Sequence, residues 1–163
     1  MTLPTRKRVR LQGFDYSNPG CYFVTINART QEPWFGSVDD GLLRPNAAGG
    51  MVLEIWLDLP AQFPGVHADM AVVMPDHLHG IIMLGTDPEI PASLTLSAVI
   101  GAFKSRTTVE YGRGVRSEGW RPYDQQLWHR SFRDTIVRSD RALEAFRDYI
   151  EGNPGRWAEK RGQ

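Results

Sequence analysis

The segment Ala68–Leu84 restricts the fold more than any other part of the chain, because two largely apolar runs, Ala68–Met74 and His77–Leu84, are separated only by Pro75-Asp76. So short a turn makes the two runs neighbouring, antiparallel strands. Side chains alternate across a strand at a rise of roughly 3.3 Å per residue, which puts His77 and His79 on one face, about 6 to 7 Å apart at the backbone. Leu78, Gly80, Ile82 and Leu84 then form an apolar row on the other face, suited to a core. The second strand is half core and half site. Two imidazoles at this spacing can converge on one ion, but two histidines can equally be polar residues at a solvated sheet edge or strand end, and spacing does not choose between these. Residues 69–90 carry Asp69, Asp76, Asp87 and Glu89 with no Lys or Arg, a local charge that favours a cation.

The remaining elements follow from periodicity and turn chemistry. The turn Asp15–Gly20 leads into a strand over Cys21–Asn27, rich in β-branched and aromatic residues. Trp34–Val38 and Leu42–Arg44 form a small peripheral hairpin around Asp39-Asp40-Gly41. Asn46 caps a helix over Ala47–Leu59, stopped by Pro60, with Val52, Ile55, Trp56 and Leu59 at helical spacing. A second helix over Leu94–Tyr111 breaks at Gly112, leaving Arg113–Tyr123 as a Gly- and Arg-rich loop. Leu127–Phe132 and Thr135–Val137 read as one short strand or two. Ser139 or Asp140 caps a last helix over Arg141–Gly152, with Ala142, Leu143, Phe146, Tyr149 and Ile150 on its apolar stripe and Pro154 ending it. This order of elements predicts an α+β fold, a ferredoxin-like antiparallel sheet with helices packed on it and the histidines mid-sheet.

At 163 residues, the chain has the length of one domain, with no repeat, low-complexity segment or linker to divide it. Its single cysteine, Cys21, excludes an intrachain disulfide and a Cys-x-x-Cys zinc cluster, and suits the reducing cytoplasm. No apolar run has the length of a membrane span or follows the basic start as a secretion signal would. The 19 basic and 19 acidic residues cancel, so nucleic-acid binding is not announced by net charge. Their distribution says more: Arg6, Lys7, Arg8 and Arg10 form a basic arm, and Lys104, Arg106, Arg113, Arg116 and Arg121 a second positive stretch, both candidates for phosphate contact. Trp120, Tyr123 and Trp128 fit either base stacking or core packing.

Two histidines rarely complete a metal site, and catalysis needs a further reactive group. Tyr149 and Asn153, four residues apart, share one helical face if the helix continues, offering a nucleophilic oxygen and an amide carbonyl for a hard cation. Pro154 disfavours helical geometry at Asn153, and Tyr149 taken alone fits an amphipathic residue at the rim of the core.

Met74–Leu84 (MPDHLHGIIML), Phe103-Lys104-Ser105, the closing Tyr149–Trp157 (YIEGNPGRW) and the opening Arg10–Thr25 together resemble the single-tyrosine HUH transposases, and most of all their REP-associated tyrosine transposase branch. The resemblance spans nearly the whole chain. It implies cleavage and rejoining of single-stranded DNA, often at imperfect hairpins, through a covalent link between a tyrosine and a 5′-phosphate. By this likeness Tyr149 is the nucleophile, His77 and His79 are metal ligands with Leu78 between them, Asn153 completes the coordination, and Mg²⁺ or Mn²⁺ is the ion. It also implies a monomer or a homodimer. His129, where many relatives have glutamine, and Thr135, where many have histidine or arginine, depart from the pattern; His129 or His67 then stands as an extra base or ligand. Two other expectations compete: a phosphodiesterase in which water replaces the tyrosine, and a domesticated protein that binds nucleic acid without cutting it.

Overall fold

The computed structural model describes residues 20–87, 89 and 94–161. Arg6, Lys7, Arg8 and Arg10, with the opening motif up to Pro19, lie outside the described residues.

The β-branched and aromatic run Gly20–Asn27 forms β1. Val66–Met74 (β4) and His77–Leu84 (β5) form the antiparallel pair expected across Pro75-Asp76. Between them in sequence come a two-stranded hairpin, Gly36–Asp39 (β2) with Leu42–Pro45 (β3), and two helices, Ala47–Leu57 (α1) and Leu59–Gln62 (α2). After β5 follow a long helix, Leu96–Glu118 (α3), the strand Arg133–Val137 (β6), and the helices Asp140–Glu151 (α4) and Asn153–Arg161 (α5). The main sheet has the order β4-β5-β1-β6, with each neighbouring pair antiparallel. With α1 crossing from β1 to β4 and α3 from β5 to β6, this is the β-α-β-β-α-β plan of the ferredoxin-like fold. The histidine strand is interior, flanked by β1 and β4.

The two faces of β5 divide as alternation requires. Leu78, Ile82 and Leu84 enter the larger core with Val52, Ile55 and Trp56 of α1 and Leu96, Val99, Ile100 and Phe103 of α3. Ile81 enters a smaller core with Phe23, Val137, and Phe146 and Ile150 of α4. Helices α1 and α3 therefore cover one face and α4 the other, the face that carries His77 and His79. Gly80 lets the indole of Trp56 lie against the strand, where an added Cβ would stand 2.5 Å from Trp56 Cζ2. Gly80→Ala must displace that ring, and overpacking of this kind costs about 1–3 kcal/mol. Thermal denaturation should show a loss of roughly 3–10 °C.

Four boundaries differ from expectation for physical reasons. Helix α3 runs through Gly112 and Gly114 to Glu118, so Arg113–Glu118 is helical and not loop. Gly114 is held there by Trp120: its Cβ position lies 2.1 Å from Trp120 Cε3, and the Gly119 and Trp120 amides both donate to the Gly114 carbonyl. Gly119, at φ 72°, makes the left-handed stop. Proline likewise acts twice as a starter instead of a stop: α1 already ends at Leu57 and Pro60 sits in the first turn of α2, while Pro154 is the second residue of α5. Leu127–Phe132 contributes only a bridge between Trp128 and Ala28. The β2–β3 hairpin stands outside the main sheet, peripheral as expected, and packs on α5, with Gly41 backing onto Gly155.

Candidate active site

His77 and His79 stand side by side, their ring centroids 4.6 Å apart. His79 is 8% exposed, stacked on Phe23, and its Nδ1 lies 2.9 Å from the Thr25 hydroxyl on the neighbouring strand. In the tautomer whose Nδ1 donates to Thr25, Nε2 keeps its lone pair. Asp76, at the turn, accepts from His77 Nδ1 at 2.7 Å and leaves His77 the same way. A second partner on the far nitrogen is what orients a ligating imidazole and raises its basicity. Burial pushes the pKa of His79 well below the ordinary histidine value, and the charges of His77, Arg133 and Arg156 push in the same direction. His79 is therefore a neutral imidazole at neutral pH, as a ligand must be.

The last two helices bring the other residues to this pair. Phe146 and Ile150 bury one stripe of α4 in the small core, and that packing sets Tyr149 edge-on to His79, centroids 5.5 Å apart, and edge-on to Phe23 at 5.9 Å. Arg147, on the same helix, grips Asp69 at the β4 irregularity through two bonds, Nε to Oδ1 at 3.1 Å and Nη2 to Oδ2 at 2.5 Å. It also pairs with Glu144. The Arg147 bond is the main reason the Asp69 carboxyl lies below its usual range. A depressed carboxyl pKa contributes stability above its unfolded value and loses it as pH falls through the folded one. Asp69→Asn should thus lower thermal stability at pH 7, and the gap to the parent chain should narrow as pH falls below the ordinary aspartate range.

Helix α5 follows α4 after one residue, Gly152, and starts with Asn153, which is 6% exposed. Trp157 is four residues further on and so shares its helix face, and its ring lies 5.7 Å from that of His77. Arg156 lays its guanidinium 4.1 Å from the Tyr149 ring centroid and donates to the Tyr149 carbonyl. His77, His79 and Tyr149 are thus gathered within a single chain, with Asn153 buried at the start of the adjoining helix. Among the described residues no three His, Cys, Asp or Glu side chains form a cluster suited to a metal. A cation held here would take two imidazole nitrogens and the Asn153 carbonyl, an N/O donor set within the range of Mn²⁺ and, with water, Mg²⁺.

The other expected residues fall elsewhere. Helix α3 covers the face opposite the histidines, and most of its cations and those just after it have partners: Lys104 donates to the carbonyls of His129, Arg130 and Ser131, Arg106 pairs with Asp58, Arg113 with Glu110, and Arg121 with Glu32. Burial lowers Lys104 to about 8, while the three carbonyls it serves oppose this by favouring its charge. Arg116 lies in the exposed last turn of α3. Trp128 is core, its Nε1 donating to Thr107 at 2.8 Å. Trp120 and Tyr123 pack on Tyr111 at 5.3 and 5.8 Å. His129 turns to Ser131, and His67 sits opposite Met83, at the far end of β4 from the pair. Neither joins the site. Two site-side residues had no assigned role in the sequence: Arg156, within the closing motif, and Arg133, whose place depends on the register of β6.

With the geometry in view, no protein-family model matches the chain. An uncharacterized protein of Haemophilus influenzae is 28% identical over 171 residues, spanning 93% of this chain and 89% of that protein. A REP-associated tyrosine transposase, solved bound to a REP hairpin, superposes with a TM-score of 0.59 at 20% identity, over 93% of this chain and 73% of that one. The chain has the fold of that transposase. A Deinococcus radiodurans structure, provisionally described as a transposase, matches at a TM-score of 0.45 and 18% identity, over 87% of this chain and 95% of that one. No helix among the described residues is long and apolar enough to cross a membrane.

Proposed function

We propose that this chain is a tyrosine transposase of the REP-associated kind, which cleaves and rejoins single-stranded DNA at hairpins through a 5′-phosphotyrosine. The observation that carries this reading is the meeting of Tyr149 with His79, ring centroids 5.5 Å apart, beside His77, with Asn153 buried at the start of the next helix. The likeness of the fold to a transposase that binds a REP hairpin supports the same substrate class.

The chain's own residues divide the work. Tyr149 supplies the phenol oxygen that attacks phosphorus, so that its proton is lost and the 3′ oxygen leaves as a hydroxyl able to reverse the step. The Phe146/Ile150 packing and the Arg147–Asp69 grip hold its helix on the sheet. Thr25 and Asp76 fix the two imidazoles, which with Asn153 would hold Mg²⁺ or Mn²⁺. Such an ion, when bound, neutralises charge developing on the phosphate oxygens.

The test is the polarity of cleavage. Hairpin oligonucleotides labelled at one end or the other are incubated with the protein and Mn²⁺ and resolved under denaturing conditions. Attack at the 5′-phosphate leaves the 3′-labelled fragment on the protein and releases the 5′-labelled one. Two free fragments would instead favour water as the nucleophile, and binding without cutting would favour the domesticated reading.

A further inference from the structure

The positive charge on the histidine face comes from a direction different from that of the basic stretch on α3. Arg133 of β6 pairs with Thr25 of β1, and Thr25 pairs with His79 of β5. Residues directly opposite one another in an antiparallel sheet share a face. Because the Thr25 side chain reaches His79, Arg133 is on the histidine side as well, two strand spacings or roughly 10 Å away at the backbone. Arg156, from α5, lies over Tyr149, whose ring meets the same imidazole edge-on. Arg133 and Arg156 are both half-buried, at the margins of the site and not in open solvent.

We propose that Arg133 and Arg156 form an anion seat, one guanidinium from the sheet and one from the last helix, that clasps a backbone phosphodiester of single-stranded nucleic acid over His77 and His79. The inference deepens the transposase reading and rests on it for the identity of the ligand. Guanidinium suits the task because its planar fork of donors matches a phosphate's oxygens. The stack of Arg156 on Tyr149 adds a consequence: the group that holds the phosphodiester also fixes the ring that attacks it, so binding and alignment are coupled. Arg133 is a positioning residue for the strand, since it bears on the phosphate and not on the tyrosine.

The experiment measures binding of labelled oligothymidylate to the full chain in chelator, where no cleavage is needed, as a function of salt. Each phosphate contact to a single strand contributes a slope of about 0.7 in log affinity against log salt, equivalent to about fivefold between 1 M and 0.1 M. Arg133→Gln and Arg156→Gln should each lower the slope by about that amount, with Arg133→Lys retaining it, because charge and not packing sets the slope. Arg106→Gln and Arg113→Gln, on the opposite face, should leave it unchanged. Unaltered slopes in both site-side glutamine variants, or a loss confined to the α3 variants, overturns the proposal. Arg133 lies on an edge strand, so Arg133→Gln decides the matter alone if Arg156→Gln does not fold. The assay is separate from the tyrosine chemistry: a missing covalent adduct with intact slope effects would contradict the transposase reading and leave the anion seat standing, and the reverse pattern would do the opposite.

Discussion

Replacing Tyr149 with phenylalanine is expected to abolish the covalent protein–DNA adduct and to lower strand cleavage by on the order of 10⁴-fold or more. The substitution is a sharp one because it deletes only the hydroxyl. The ring that Arg156 covers at 4.1 Å, and that meets Phe23 and His79 edge-on, keeps its shape, so α4 should stay docked. Thermal stability and single-strand affinity should match the parent chain. Oligonucleotide cleavage followed on denaturing gels separates the outcomes, since a folded, DNA-binding variant without an adduct locates the loss in the chemical step. A variant that cuts at the parental rate would remove Tyr149 from the mechanism.

His79→Ala should have the next largest effect, lowering cleavage by roughly 10²–10³-fold, the range seen when one preorganised electrostatic contact to a reacting centre is removed. Burial keeps His79 neutral, and its Nδ1 is engaged with Thr25, so its ligating nitrogen is fixed before any ion arrives. Excess Mn²⁺ should restore little of the rate, because the lost group is a fixed donor and not merely a contribution to affinity. Single-turnover cleavage across a Mn²⁺ titration is the measurement. Full recovery at high Mn²⁺ would show that the histidine only recruits the ion, and an unchanged rate would show that it has no part.

The parts of this molecule that can be read from sequence are those set by local pattern. Alternation along His77–Leu84 separates Leu78, Ile82 and Leu84 from the histidines, and the two cores divide in that way. The stripe Phe146, Tyr149, Ile150 predicts the docked face of α4, and the order of elements yields the sheet. What local pattern misses depends on partners distant in the chain. Gly112 and Gly114 look like a break, but Trp120 folds back onto Gly114 and the helix persists. Pro154 satisfies the rule for stopping a helix and the rule for starting one equally well, and the second holds, which turns Asn153 inward. Charge clustering finds the cations of α3 but carries no information about which face of the sheet that helix covers. Arg133 is invisible for a similar reason: its place beside the histidines exists only through the pairing of β6 with β1. The resemblance to tyrosine transposases picked out Tyr149 and Asn153, which spacing alone left as a rim residue and a helix end.

The central claim is that Tyr149 itself becomes joined to DNA, and peptide mapping tests it most directly. The adduct formed on a hairpin oligonucleotide with Mn²⁺ is digested with nuclease and trypsin, and the peptide bounded by Arg147 and Arg156, Asp148–Arg156, is examined by mass spectrometry. The account predicts a nucleotide attached to Tyr149 through its 5′-phosphate. Attachment at any other residue, or cleavage with this peptide left unmodified, would contradict it.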